Sequence, residues 1–319
     1  MAARRVVDRY LPRAPLERSP LLSQELGADV HLKIETFKPT RTFKVRGALN
    51  KIASIDERAR ARGVVAASGG SHAMGVAYAA WALGLSATVV MPTGVSPQIV
   101  GVCRSYGATV RLEGEVYDDT LALAERIRTD EGRTFVPPYE DPMIIAGQGT
   151  IGLEIAEDLP EVDTVVVAVG GGGLICGIGL ALKHSHPDVR VIGVEPEGAD
   201  AFGRSLRAGH PVELERPSSI ADKLVAKTTR QLNVDIAREV VDEMVTVGEE
   251  ALADASFEHL ERHALLVEPS GAAPLAAVRS GRVSLAGQRA VLVVSGGNAA
   301  PAVLGRILGE RLGRSAART

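Results

Sequence analysis

Thr164-Val165-Val166-Val167-Ala168-Val169-Gly170-Gly171-Gly172-Gly173-Leu174 is the stretch that decides the fold. Its first six residues are mostly β-branched and apolar without alternation, the composition of a parallel-sheet strand covered on both faces. Four glycines then stop the strand, and the apolar residues from Leu174 onward read as helix. Residues 164–182 carry no charge and are long enough to suggest a membrane span. The glycines at the centre divide the run into strand, loop and helix, so the membrane reading is rejected. At such a junction, backbone N–H groups free of side chains converge on an anion at the helix N-terminus. Close packing of strand on helix needs one or two glycines; four point to a phosphate-sized site. The order matches neither a definite Gly-x-Gly-x-x-Gly dinucleotide pattern nor a P-loop.

The same cycle recurs on both sides. Residues 30–34, 64–67, 87–91, 109–112, 189–194 and 289–294 read as strands. Helices are predicted over 48–61, ending at Gly63, over 73–83, ending at Gly84, and over 97–106, ending at Gly107. Two more are predicted over 117–128 and 144–159. Strands alternating with helices at this spacing predict an α/β fold of doubly wound, mainly parallel sheets. No fixed-period repeat or low-complexity linker interrupts it. The proline-rich segment around Pro137, Pro138 and Pro142 is the best place for the chain to cross between lobes.

Length and composition set the limits. A chain of 319 residues can bury a large core in about two domains. Thirty-six basic against thirty-nine acidic residues give a net charge of −3, which supplies no field for nucleic acid or anionic membrane. Arg4 and Arg5, and Arg311, Arg314 and Arg318 at the other end, read as frayed, solvated termini. Cys103 and Cys176 form no Cys-x-x-Cys unit, which is cytoplasmic usage without a disulfide frame or zinc site. Asp118-Asp119 and Glu249-Glu250 read as acidic first turns of helices. His259 and His263 are spaced i,i+4 but lack the intervening glutamate of a zinc helix. Trp81 and its helix read as core.

Three further stretches carry chemistry. Thr42-Phe43-Lys44-Val45-Arg46-Gly47-Ala48 places a lysine at the start of a helix, where burial and a cationic neighbour such as Arg46 lower an amine's pKa. Alone it also suits a solvated helix-start lysine. Ser68-Gly69-Gly70-Ser71-His72 offers hydroxyls and N–H groups to a carboxylate, or a simple cap by Ser71. Ser295-Gly296-Gly297-Asn298 puts a small hydroxyl after the last strand, or closes a turn.

Taken with Gly147-Gln148-Gly149-Thr150, Gly193-Val194-Glu195-Pro196 and Glu268-Pro269-Ser270-Gly271-Ala272, these stretches resemble the fold-type II pyridoxal-phosphate enzymes in order and spacing over nearly the whole chain. The branch resembled most is that of threonine/serine dehydratases and serine racemases. The resemblance implies a tryptophan synthase β-like architecture. A larger cofactor-binding lobe would span residues 1–47 and 142–319, and a smaller mobile lobe residues 48–141, commonly in a homodimer. Lys44 would carry pyridoxal 5'-phosphate in a Schiff-base linkage, with Phe43 packed on its ring. Gly170, Gly171, Gly172, Gly173 and Leu174 would cradle its phosphate, and Ser295 would face its pyridine nitrogen. Ser68, Gly69, Gly70, Ser71 and His72 would take the carboxylate of a small amino-acid substrate. The reaction implied is dehydration of a threonine- or serine-type amino acid to a 2-oxo acid and ammonia.

Four departures from the family pattern qualify this. Ser71 stands where an asparagine usually meets the cofactor's 3'-oxygen. Gly69 replaces the serine that serves racemases as second-face acid/base, so racemisation is not expected as the main activity. Lys223 follows Ala221-Asp222 where glycine is common, and is expected to swing to solvent. Ala201 stands where the family's cation site has a carboxylate six residues after Glu195, leaving Asp200 beside it, and no metal is predicted. β-Replacement, as in cysteine or diaminopropionate synthases, is the nearest alternative. A cofactor carrier without chemistry and a nicotinamide enzyme follow.

Overall fold

A computed structural model describes residues 1–316 of the chain, which form two compact units. One unit takes Met1–Arg13 and Phe37–Thr150; the other takes Ala14–Thr36 and the chain from Ile151 onward. The strands in chain order are β1 (Leu16–Arg18), β2 (Asp29–Ile34), β3 (Val64–Ala67), β4 (Ala87–Met91) and β5 (Thr109–Leu112). They continue with β6 (Thr134–Phe135), β7 (Thr164–Ala168), β8 (Arg190–Pro196), β9 (Glu243–Val247) and β10 (Arg289–Val294).

The first unit holds a four-stranded sheet in the order β5-β4-β3-β6, parallel throughout. Every residue of β3 and β4 is buried, as expected for strands covered on both faces. Helix Ser71–Ala82 has ten buried positions and no polar stripe, and it joins Val64, Ala66, Val89 and Met91 in one core. The second unit holds a six-stranded sheet in the order β1-β2-β10-β7-β8-β9, parallel except for the β1–β2 pair. The α/β class with mainly parallel sheets is therefore as the sequence predicts.

Registers Leu292↔Val166 and Val294↔Ile34 set β10 between β7 and β2, so the loops after these three strands leave the sheet at one edge. Ligands collect at the carboxyl edge in parallel sheets. Under β2 lies a charged element that apolar patterning does not reveal: Lys33 and Glu154, both fully buried, pair at 2.7 Å. Lys33 Nζ also donates to the Ala14 carbonyl at 2.8 Å.

Several expectations are corrected. The stretch 48–61 is two helices, Lys44–Ala53 and Glu57–Arg62, because Asp56 accepts the Ala59 N–H at 2.8 Å and starts a new helix. Trp81 is 58% exposed although its helix is core; its ring lies 5.7 Å from both Tyr78 and Tyr106. The termini are helical rather than frayed: Ala2–Tyr10 carries an Arg4–Asp8 pair at 2.5 Å. Arg311, 7% exposed in helix Pro301–Ala316, pairs with Asp254 at 2.7 Å and Glu310 at 2.8 Å. Arg318 lies outside the described residues. Among the described residues, no helix is long and apolar enough to cross a membrane.

Candidate active site

In the first unit the structure brings Lys44 together with the 68–72 loop. Lys44 is the first residue of helix Lys44–Ala53, four residues earlier than the helical pattern suggests, with Phe43 at the N-cap. The turn before it closes by the Arg41 N–H on the Lys38 carbonyl at 2.8 Å, with Arg41 in the left-handed region at φ 56°. Lys44 Nζ donates to the Pro138 carbonyl at 2.8 Å and lies 5.3 Å from the Phe43 ring centroid. The residue retains a little solvent access, but the protein around the amine pulls its pKa from 10.5 to about 8. The negative charge of Glu140 opposes this pull. Arg46 is not the cause: its guanidinium is buried and engaged with Thr150 Oγ1 at 2.9 Å.

The helix after the 68–72 loop packs on the lysine backbone. A Cβ on Gly75 would lie 3.2 Å from the Lys44 carbonyl carbon and the Val45 nitrogen. That helix begins at Ser71 with Gly70 as N-cap, so Ser71 lies inside the first turn and is not the cap. Its first-turn N–H groups have no intrahelical acceptors. Ser68 Oγ accepts the Gly70 N–H at 3.2 Å and shapes the loop. His72 is buried with Nε2 donating to the Val136 carbonyl at 2.9 Å. Burial first, and the Lys44 charge second, push its pKa down to about 3, so the ring is neutral. Gly69 faces Pro92, whose Cδ would lie 3.1 Å from an added Cβ.

In the second unit the structure brings the 170–174 loop and Ser295 to the same sheet edge, after β7 and β10. Helix Gly173–Ser185 starts within the glycines. Gly172 has φ +92°, and a Cβ there would fall on the Phe202 ring. A Cβ on Gly170 would press on the Lys223 carbonyl and Leu224 Cα, each at 3.2 Å. Thr229 Oγ1 at 3.0 Å and Asn233 Nδ2 at 2.8 Å both donate to the Gly171 carbonyl and fix the loop's orientation. Leu174 and Ser295 are each 6% exposed.

Lys223 does not swing to solvent. Its Nζ pairs with Asp222 at 2.7 Å and with Glu268 at 3.3 Å. Glu195 is buried and accepts the Phe202 N–H at 2.8 Å and the Gly203 N–H at 2.7 Å; burial still pushes its carboxyl up to about 8. Asp200 pairs with Arg204 at 2.8 Å. No sequence pattern marks Pro138, Glu140, Thr229, Asn233 or Glu268 for a part in the site itself. Only Glu268 carried a signal, as the head of its Glu-Pro-Ser-Gly-Ala motif.

These residues fit pyridoxal phosphate. A glycine loop that side chains would fill, at a helix N-terminus, suits its phosphate, and a lysine whose amine is freed of its proton more easily than usual suits its aldehyde. The fold is that of a mainly parallel α/β protein, and these residues suit it to a phosphate-bearing aldehyde cofactor. The family model for pyridoxal-phosphate dependent enzymes matches residues 7–296. The chain belongs to this family, and pyridoxal phosphate is its cofactor. An L-threonine ammonia-lyase from Thermotoga maritima is 43% identical over 313 residues, covering 98% of this chain and 78% of that protein. The processed form of threonine deaminase isoform 2 from Solanum lycopersicum aligns with a TM-score of 0.90 at 32% identity, over 94% of this chain and 88% of that one. Maize serine racemase aligns with a TM-score of 0.90 at 32% identity, over 98% and 96%.

Proposed function

We propose that this enzyme dehydrates a small β-hydroxy amino acid of the threonine or serine type, releasing a 2-oxo acid and ammonia. The observation that carries this is the extent of likeness to an L-threonine ammonia-lyase, 43% identity over 98% of the chain. Pyridoxal phosphate, when bound, supplies an electron sink for the charge left at Cα.

The side chains have these roles in the proposal. Lys44 would hold the cofactor through its aldehyde and, as general base, would take the Cα proton at Nζ. An amine pulled to about 8 is partly neutral near physiological pH, as that task needs. The Pro138 carbonyl orients Nζ, and Phe43 packs on the cofactor ring. The N–H groups and hydroxyls of Ser68, Gly69, Gly70, Ser71 and His72 bind the substrate carboxylate. The 170–174 loop holds the cofactor phosphate. Ser295 would meet the cofactor's ring nitrogen with a neutral hydroxyl, which would make the cofactor a weaker electron sink and favour loss of the β-hydroxyl. Gly69 presents no group to the second face of Cα, which disfavours racemisation. A homodimer in the cytoplasm completes the proposal.

The test is a panel of hydroxy amino acids in which 2-oxo acid formation is measured with and without an added thiol or amine. Release from threonine or serine without addition is expected. Turnover only with the added nucleophile would favour β-replacement instead.

A further inference from the structure

We propose that Lys223 is a positioning residue which, through its ion pair with Glu268, holds the turn that carries Ser295. Glu268 is the N-cap residue of helix Pro269–Arg279 and is 3% exposed. Its N–H donates to the Gly296 carbonyl at 3.2 Å, and its carboxylate accepts the Asn298 N–H. Two contacts thus tie Glu268 to the 295–298 turn. On its other side, Lys223 Nζ lies 3.3 Å from Glu268 Oε2 and 2.7 Å from Asp222 Oδ2. The Lys223 N–H donates to Ser270 Oγ at 3.2 Å. The Lys223 carbonyl packs on Gly170, the first residue of the glycine loop. One residue therefore abuts the glycine loop with its backbone and, through Glu268, bears on the segment that carries Ser295.

A carboxylate so deeply buried stays ionised only beside a cation. Burial, with Lys223 opposing it, leaves the Glu268 carboxyl raised to about 7. The titratable groups facing Glu268 are Lys223 and Asp222, and the Asp222 charge acts with burial. Without the ammonium the Glu268 carboxyl rises further and stays protonated above neutral pH, and a neutral acid accepts the Asn298 N–H more weakly.

The inference rests on the proposed function in that Ser295 faces the cofactor, so its test is spectroscopic. Holoenzymes carrying Lys223→Met, Lys223→Gln, Lys223→Arg, Glu268→Gln and the double change Lys223→Met with Glu268→Gln are compared. The absorbance of the bound cofactor is followed across pH, and cofactor dissociation constants are measured. Lys223→Met and Lys223→Gln should each move the chromophore's titration upward from near pH 7 and weaken cofactor binding roughly tenfold, the loss of about one charge-assisted hydrogen bond. Lys223→Arg should restore both. In the Glu268→Gln background, Lys223→Met should add nothing. A wild-type spectrum at every pH in both the Met and Gln variants overturns the proposal, and so does an undiminished effect when Glu268 is already glutamine. A protein that binds cofactor but turns over no hydroxy amino acid would defeat the proposed function and leave these spectral outcomes readable.

Discussion

Gly147 lies against Gly47: a Cβ on Gly147 would sit 2.6 Å from the Gly47 Cα and 2.7 Å from the Arg46 carbonyl oxygen. Helix Lys44–Ala53 is thereby held at backbone contact, reinforced by the Gly47 N–H on Gln148 Oε1 at 3.2 Å. Gly147→Ala forces the lysine helix to shift. A loss of about 1–3 kcal/mol in unfolding free energy is expected, with weaker cofactor loading. Denaturant titration and cofactor absorbance check both, and an alanine variant with full stability and colour would show that the contact relaxes freely.

Lys44→Ala removes both the linkage and the base. Turnover should fall by at least about three orders of magnitude, about 4 kcal/mol of barrier, and the lysine-bound chromophore should vanish. In the wild type, borohydride reduction followed by peptide mapping should place the label on Lys44. Retained colour and turnover in the alanine variant would refute the assignment.

Glu140→Gln isolates an electrostatic cause. The Glu140 charge raises the Lys44 pKa against burial, so its removal should let the amine fall below about 8. The rate at which an amine-selective reagent modifies Lys44 in cofactor-free protein, followed against pH, should shift its midpoint downward. An unmoved midpoint would show that the two groups are not coupled.

Acid stability follows from two buried imidazoles. Burial holds His72 and His259 near a pKa of about 3, with added repulsion from Lys44 and His263 respectively. The unfolded chain binds these protons at the ordinary value of 6.5, so stability is full above that pH. It then declines as pH falls toward about 3, by about 1.4 kcal/mol per unit for each histidine. His259→Leu should flatten the dependence of the urea midpoint on pH in this window. An equal slope in the variant would assign the acid sensitivity elsewhere.

Periodicity and glycine placement made the parallel sheets legible, because strands such as Val165-Val166-Val167 are buried on both faces and announce it by composition. The short β1 and β6 and the half-buried edge strand β9 carried no such signal. Lys44, the 68–72 loop, the 170–174 loop and Ser295 were legible because each follows a strand or turn that places it. Glu140, Thr229 and Asn233 were not, since their parts depend on contacts with residues 58 to 96 positions away in sequence or on electrostatics through the fold. The burial of Arg311 and Lys33 and the exposure of Trp81 are likewise decided by packing, which residue type alone does not specify. Lys223 shows the difference most clearly: its departure from the family pattern was visible, while its partner Glu268 lies 45 residues on.

The most direct measurement is the product balance from L-threonine with purified, cofactor-loaded enzyme and no second substrate. Ammonia and 2-oxo acid should appear together in equal amounts, and the Lys44→Ala variant should give neither. Consumption of the amino acid only when a thiol or amine is added, without 2-oxo acid, would contradict the dehydratase assignment.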